Sequence, residues 1–419
     1  MDRYLNINQT ERKRTSIDRI TACCVVLVII HNIMPVVGQF ISTYISTYFM
    51  LMVEAVVWWL LIKWNNGSWI ISVFSLFFIA VIQFIYEYIY RYTGLVSGGY
   101  GLMYNLSLVG IGILYYDLNR SIRRIIHVSI VASILITIAT TIIGSYRFGS
   151  GIVRYAASVG SSSDAVFVLT NWHNVGSFSF VYMCLVLYPV LIYYCKVKKV
   201  RLLFRIGIIV GVLFFFYRSE FATALLACVA CSVLWLIPLE TKFRTKILIV
   251  LSVAGVLFLC KNLFANIAYR IAYSINSSVL MERFLYIGDT LSGVQNDVFA
   301  VGERRKVLEK SLSTIMHHPI IGTLFYRDKG VGGHSYVLDF IARYGLLGWY
   351  LLITSYKQIY KNFTTHFSDE YKRQYLIISI LLAIALSVVN TGDHWFELVL
   401  VIPVLFYNIN VKESQRKMV

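Results

Sequence analysis

The chain has 419 residues, a formal net charge of +17, a mean hydropathy of +0.69 and only 14% charged residues, against roughly 25% in soluble domains. That balance excludes a soluble globule. Apolar runs of about 20 residues, each long enough to cross the hydrocarbon core, recur from end to end; because they are continuous rather than alternating, a β-barrel is excluded too.

In chain order, spans are expected at about 17–38, 46–64, 68–90, 97–116, 125–144, 174–195, 201–217, 219–239, 245–262, 336–356, 372–389 and 395–411. The expectation is an all-α polytopic membrane protein with about 12 transmembrane helices, one integral membrane domain over residues 1–419. The first run begins near Ile17, lacks a small-residue cleavage site and is followed by another pass, so it reads as a retained helix rather than a signal peptide. His31 is a lone polar residue within it and reads as a helix–helix hydrogen bonder. Glu54, in the second span, is the only carboxylate expected well inside a span.

Lysine and arginine set the orientation. With the N-terminus cytoplasmic, 24 of the 38 basic residues fall on the inner side, nearly all in short segments: Arg12, Lys13 and Arg14, then Arg120, Arg123 and Arg124, then Lys196 to Arg205, and so on to Lys417. The others are mostly in one long segment, which counts little. Both termini are therefore expected in the cytoplasm. The same placement argues against nucleic acid as a partner despite the charge. The seven cysteines lie in or at the ends of apolar runs, so no disulfide framework is expected, and Cys228-x-x-Cys231 reads as helix packing.

Two segments are too long to be connectors, and both fall on the outer face: 145–173 and 263–335. The first carries Arg147 and Arg154 and closes on NWHN, Asn171 to Asn174. The second contains RRKVLEKSLSTIM, residues 304–316, with Leu308, Leu312 and Met316 every four residues and Arg305, Lys306, Glu309 and Lys310 on the other side. That is an amphipathic helix suited to the outer membrane surface, ended by His317-His318-Pro319. Arg218 and Glu220 interrupt two apolar runs that almost touch, which puts Arg218 at the outer interface, either as a snorkelling helix-end arginine or as a functional one. His334 follows two glycines and precedes the tenth span. His394, in NTGDHW, is a secondary candidate on the same face. No HExxH or Cys/His spacing suggests zinc and no Walker or dinucleotide glycine pattern suggests ATP or NAD, so no metal or cofactor is expected.

An arginine-rich outer face with a histidine suits a particular chemistry. Arginine forks bind phosphate oxygens with paired charge-assisted hydrogen bonds, and histidine transfers protons near neutral pH. A lipid-linked pyrophosphate donor calls on both.

The order of these residues resembles the bacterial O-antigen and capsule repeat-unit polymerase family and its relative, the O-antigen ligase. The match runs from Arg304 through HHPIIG at 317–322 and His334 to RYGLLG at 343–348. YRSEFATALLA, which contains Arg218 and Glu220, is a weaker match, and Arg154 with the NWHN segment is weaker still. Ser335 stands where the family usually has asparagine after the histidine. The resemblance implies a GT-C-like architecture and metal-independent transfer of an undecaprenyl-pyrophosphate-linked glycan. It implies His334, Arg218 and Arg304 as catalytic residues and Arg154, Asn174, Glu220 and Tyr336 as substrate-binding. The implied partners are donor and acceptor lipid-linked oligosaccharides and membrane lipids, with a chain-length regulator and a flippase as possible company. Ligase-type transfer to another acceptor and a non-enzymatic lipid-linked sugar flippase remain open alternatives.

Overall fold

The computed structural model describes residues 19–45, 47–65, 78, 81, 108, 111–112, 115, 118–149, 152–153, 165–246, 248–249, 252, 261–276, 278–292, 300–323, 331–333, 335–365, 370–389, 394 and 396–409. Among the described residues all regular structure is helical. In order these are α1 (Arg19–Ile33), α2 (Pro35–Phe40, continued by a π turn Ile41–Ile45), α3 (Thr47–Asn65), α4 (Arg120–Arg147), α5 (Ala165–Trp172) and α6 (Phe178–Val197). Then come α7 (Leu202–Arg218), α8 (Ala222–Ser232), α9 (Lys261–Ser274), α10 (Ser278–Ser292), α11 (Ala300–His317), α12 (Tyr336–Thr365), α13 (Glu370–Val389) and α14 (Ile402–Ile409), the last preceded by a π turn Glu397–Val401.

Among the described residues four helices are long and apolar enough to cross a membrane: Arg120–Arg147, Phe178–Val197, Tyr336–Thr354 and Glu370–Val388. They match the expected spans at 125–144, 174–195, 336–356 and 372–389. The expected spans at 68–90, 97–116 and 245–262 fall almost wholly outside the described residues.

The most buried of the four is α6, apolar on every side, as a helix surrounded by others must be. It packs against α8, α13 and α14. Tyr182, Tyr188 and Tyr193 keep their rings in the core, and the Tyr188 hydroxyl finds partners, as buried tyrosine hydroxyls usually do. Tyr188 shares a 3.0 Å hydrogen bond with Ser232 and accepts one of 2.9 Å from Trp235 Nε1. Tyr193 lies 5.4 Å, ring to ring, from both Tyr375 and Phe406.

The expected first span is not one helix. α1 and α2 meet at a 105° bend at Met34–Pro35. Proline at the start of α2 has no N–H to continue the ladder, and an apolar interior requires the freed groups to find other partners. Thr137 Oγ1 on α4 donates to the Ile33 carbonyl (3.4 Å), and the Val36 N–H donates to Asn174 Oδ1 (3.4 Å).

The segment 263–335 departs further from expectation. Besides the expected amphipathic helix, which extends to 300–317, it holds α9 and α10 as a packed pair. Their contact is made by Ala268, Ala272 and Phe284. A side chain at Gly288 would collide with the Tyr269 ring, and Tyr269 donates to Asp289 Oδ1 at 2.7 Å. α11 turns Ser311 and Thr314 inward and Leu312 and Met316 outward, Met316 being 81% exposed. Lys306, Glu309 and Lys310 are exposed as well, so the outer face mixes charged and apolar side chains, as suits a helix lying at a membrane surface. Exposed Ile320, Leu346, Leu347, Tyr350 and Ile353 continue that apolar surface onto α12.

Candidate functional site

Three sets of residues carry the polar chemistry, and all rest on one apolar core that includes Val175, Phe221, Phe340 and Leu398.

The first set lies on α11 and α12. The HPIIG and RYGLLG segments are bonded to each other through their backbones. Leu346 and Leu347 donate to the carbonyls of Pro319 (2.8 Å) and Ile320 (3.0 Å), and Thr323 donates to that of Ala342 (2.9 Å). Gly345 breaks α12 with φ 67°, ψ −173°, and Gly322 has φ 61°. A Cβ at Gly345 would land on the Ile320 carbonyl, and one at Gly322 would lie 2.5 Å from the Arg343 carbonyl carbon. Both glycines are thus required twice over, by left-handed backbone and by the close approach of two chains.

The start of α12 is fastened to α11 by side chains. Ser311 Oγ on α11 donates to Asp339 Oδ1 on α12 (2.6 Å) and accepts from the Gly332 N–H (2.8 Å). Asp339 Oδ2 accepts from the Ser335 N–H (3.1 Å), and Ser335 Oγ accepts from the Leu338 N–H (3.2 Å). Ser335 and Asp339 form a reciprocal helix cap, which gives the serine a local structural role. Gly332 lies so close to α11 that a Cβ would strike the Val307 carbonyl, one turn from Arg304. Arg304 is on α11, with its side chain outside the described residues; His334 is itself outside them, between Gly333 and Ser335. Tyr336 opens α12 with its ring 5.9 Å from Phe340.

The second set surrounds the end of α4. Arg218, the last residue of α7, donates from Nε to Ser145 Oγ (3.1 Å) and from Nη2 to the Ser145 carbonyl (2.7 Å), with its guanidinium 4.3 Å from the Tyr146 ring centre. One side of the fork is thereby tied down; among the described residues Nη1 has no hydrogen-bond partner. Ser219 bonds back to the Phe215 carbonyl (2.8 Å) and ends α7. Glu220 follows in the left-handed conformation, φ 55°, a place usually held by glycine or asparagine. The residue is 1% exposed, and among the described residues its Oε1 has no hydrogen-bond partner.

Asn174 sits on the same end of α4, also left-handed at φ 53°. Its Nδ2 donates to Thr137 and Thr140 Oγ1, both at 3.1 Å, and its carbonyl accepts from Thr140 at 2.7 Å. With Val36 on Oδ1, this side chain is committed to joining α4 to the broken first helix. Arg154 lies outside the described residues. The structure thus brings Arg218, Glu220 and Asn174 to one helix end, and Arg304 and Tyr336 to the α11–α12 unit.

The third set holds the secondary candidate of the sequence, His394. His394 is 4% exposed and left-handed at φ 52°. Its Nδ1 faces Glu397 Oε1 at 3.5 Å, and its Nε2 is buried with no hydrogen-bond partner among the described residues. Glu397 is buried as well and begins a π turn that packs on α6. Glu54 is accordingly not the only carboxylate in the interior: Glu220 and Glu397 are also buried. Their signal was present, an acid at each end of a near-continuous apolar run, but hydropathy alone assigns such residues to the interface.

Among the described residues no group of three or more His, Cys, Asp and Glu is placed to hold a metal ion. The class defined by the fold is an all-helical membrane protein. Comparison with known proteins adds no narrower name: no family model matches the chain, and no curated protein is significantly similar to it.

Proposed function

We propose that this protein is a glycosyltransferase that polymerises undecaprenyl-pyrophosphate-linked oligosaccharide repeats into a surface polysaccharide, on the outer face of a bacterial cytoplasmic membrane. Twelve spans, cytoplasmic termini and a GT-C-like architecture belong to this reading. The observation that supports it most is the union of α11 and α12. The strongest part of the resemblance spans residues 304–348, and two of its motifs, 317–322 and 343–348, are hydrogen-bonded partners. A chance likeness gives no reason for the two to meet.

In this mechanism an acceptor hydroxyl attacks the donor's anomeric carbon as the bond to the pyrophosphate oxygen breaks. The pyrophosphate leaves with the bonding electrons, and the hydroxyl proton passes to a base. Arg218, held by Ser145 on one side, offers its remaining N–H groups to phosphate oxygens. Arg304 does the same from α11, and together they stabilise the charge that develops on the leaving group. His334 orients or deprotonates the acceptor. Arg154 binds the second lipid's phosphates or the sugar, and Glu220 and Tyr336 line the sugar path. The apolar faces of α11 and α12 border the lateral opening for lipid. No step calls for a metal, and activity is expected to survive EDTA.

Purified protein in lipid nanodiscs with a lipid-pyrophosphate-linked repeat tests the assignment. A polymerase makes a ladder of products, whereas a ligase makes one transfer to a different acceptor. Near-normal extension by both Arg218→Ala and His334→Ala rejects the site.

A second reading, a flippase for the same lipids, draws on two observations: the broken helix at Met34–Pro35 and the buried His394–Glu397 pair. Transporters use broken helices and intramembrane ionisable groups. Movement of a labelled lipid-linked sugar across sealed vesicles, without any change in its length, selects that reading.

A further inference from the structure

Four independent features converge on His394. It is a non-glycine residue held left-handed at φ 52°; such strain persists only where the surroundings impose it and gathers at functional sites. The turn that follows it, Glu397–Val401, is π rather than α, a departure also frequent at such sites. The ring is buried at 4% exposure against a buried carboxylate. Among the described residues its second nitrogen has no hydrogen-bond partner, although a buried polar atom without a hydrogen bond is costly.

The geometry has a direct chemical meaning. With Nδ1–H directed at Glu397 Oε1, 3.5 Å away, the neutral ring carries its lone pair on Nε2. That nitrogen can then accept a hydrogen bond from a hydroxyl and, in reaction, its proton, while Glu397 stabilises the resulting imidazolium. The contact is long for a hydrogen bond, as such pairs often are without substrate. Glu397 is the charged group beside the ring. From α6, the helix packed on the π turn, the titratable neighbour is the thiol of Cys184, close enough to interact electrostatically with Glu397.

We propose that His394 and Glu397 form the site that receives the acceptor sugar's hydroxyl, with His394 Nε2 taking its proton and Glu397 acting as the positioning residue. This rests on the glycosyl-transfer reading and deepens it. The oxygen bonds to the anomeric carbon, the anomeric bond to pyrophosphate breaks, and the proton moves from oxygen to Nε2 and then to solvent. His334 is left to orient the glycan rather than to act as base.

The test pairs extension kinetics with binding, using full-length protein in nanodiscs. Extension is followed against pH for wild type, His394→Gln, Glu397→Gln and Glu397→Asp. Binding is measured for a polyprenyl-pyrophosphate-linked disaccharide and for bare polyprenyl pyrophosphate. The expected result is a loss of about 10²-fold or more in kcat for His394→Gln, in keeping with removal of a general base, together with loss of the acid limb of the pH profile. Glu397→Gln shifts that limb, and Glu397→Asp restores it in part. His394→Gln also binds the disaccharide lipid no better than the bare lipid, while the thermal midpoint of all variants stays near wild type. Extension by His394→Gln within twofold of wild type, with the acid limb intact, overturns the proposal; so does a wild-type limb that disappears in His334→Ala instead. If wild type extends nothing yet prefers the disaccharide lipid in a His394-dependent way, the polymerase reading fails and the hydroxyl site stands. If wild type extends nothing and His394→Gln keeps the disaccharide preference, or if the pair only carries protons across sealed vesicles, the hydroxyl site fails as well.

Discussion

Asn174 and His394 share a backbone and differ in everything attached to it. Both are left-handed, non-glycine and at least nine-tenths buried. Every polar atom of the Asn174 side chain is used: two threonine hydroxyls take its amide, and the Val36 N–H takes its oxygen. His394 reaches one carboxylate and leaves Nε2 unsatisfied. The strain at Asn174 is explained by the broken helix it repairs; among the described residues no comparable repair is seen at His394. Strain and burial together therefore do not separate these two residues; the unsatisfied atom does. Glu220, left-handed with an orphaned carboxylate oxygen, belongs with His394.

Four substitutions probe the divide. The largest effect is expected from His394→Gln, which lowers extension by about 10²-fold or more with little change in thermal midpoint; normal extension moves His394 to the structural side. Gly345→Ala comes next. It forces a Cβ into the Ile320 carbonyl and a side chain into left-handed backbone, which alone costs about 1–2 kcal/mol. With the collision, a loss of roughly 3 kcal/mol in denaturant unfolding is expected, within the range for strained core positions. Asn174→Ala leaves two hydroxyls and an N–H short of a partner and is expected to cost about 2 kcal/mol, while activity per folded molecule stays near wild type. A selective loss of activity in that variant returns Asn174 to the substrate-binding role implied by the family resemblance. Glu220→Gln is the smallest: an amide of the same shape replaces a buried carboxyl with one oxygen unpartnered among the described residues, so stability is expected to stay level or improve by about 1 kcal/mol, while acceptor KM rises.

Much of the fold was legible because apolar runs of membrane length announce themselves; α4, α6, α12 and α13 lie where hydropathy puts them. Hydropathy does not say which faces meet protein, and the surprises follow from that. α9 and α10 pack through Ala268 and Ala272, residues too small to stand out in a segment otherwise polar enough to pass for a loop. Pro35 was visible, but the groups that make its break tolerable, Thr137 and Asn174, lie over a hundred residues away. The HPIIG and RYGLLG segments were read as signs of chemistry. Their described role is a backbone clasp whose glycines are needed for close approach. Ser335 is a helix cap. Glu397 lay at the start of a run, where one acid raises no alarm until its histidine is seen beside it.

The contrast between satisfied and unsatisfied polar groups also orders the arginines. Arg123 bonds the Tyr407 hydroxyl at 2.8 Å and stacks on the same ring. Lys246 is held by Gln374 (2.7 Å), the Leu239 carbonyl (3.1 Å) and the Tyr375 face. Both cations are engaged within the protein and suit a structural role. Arg218 is tied on one side only, which is the condition for meeting an anion without being rebuilt to do so.

One measurement decides between polymerisation and its alternatives: the product distribution when purified protein in nanodiscs is given a lipid-pyrophosphate-linked repeat as sole glycan, with wild type, Arg218→Ala and His334→Ala side by side. A polymerase with this site yields a ladder of repeat multiples from wild type in the presence of EDTA, and the ladder collapses in both variants. Wild type that returns only the starting repeat, or variants whose ladders match it, rules that assignment out.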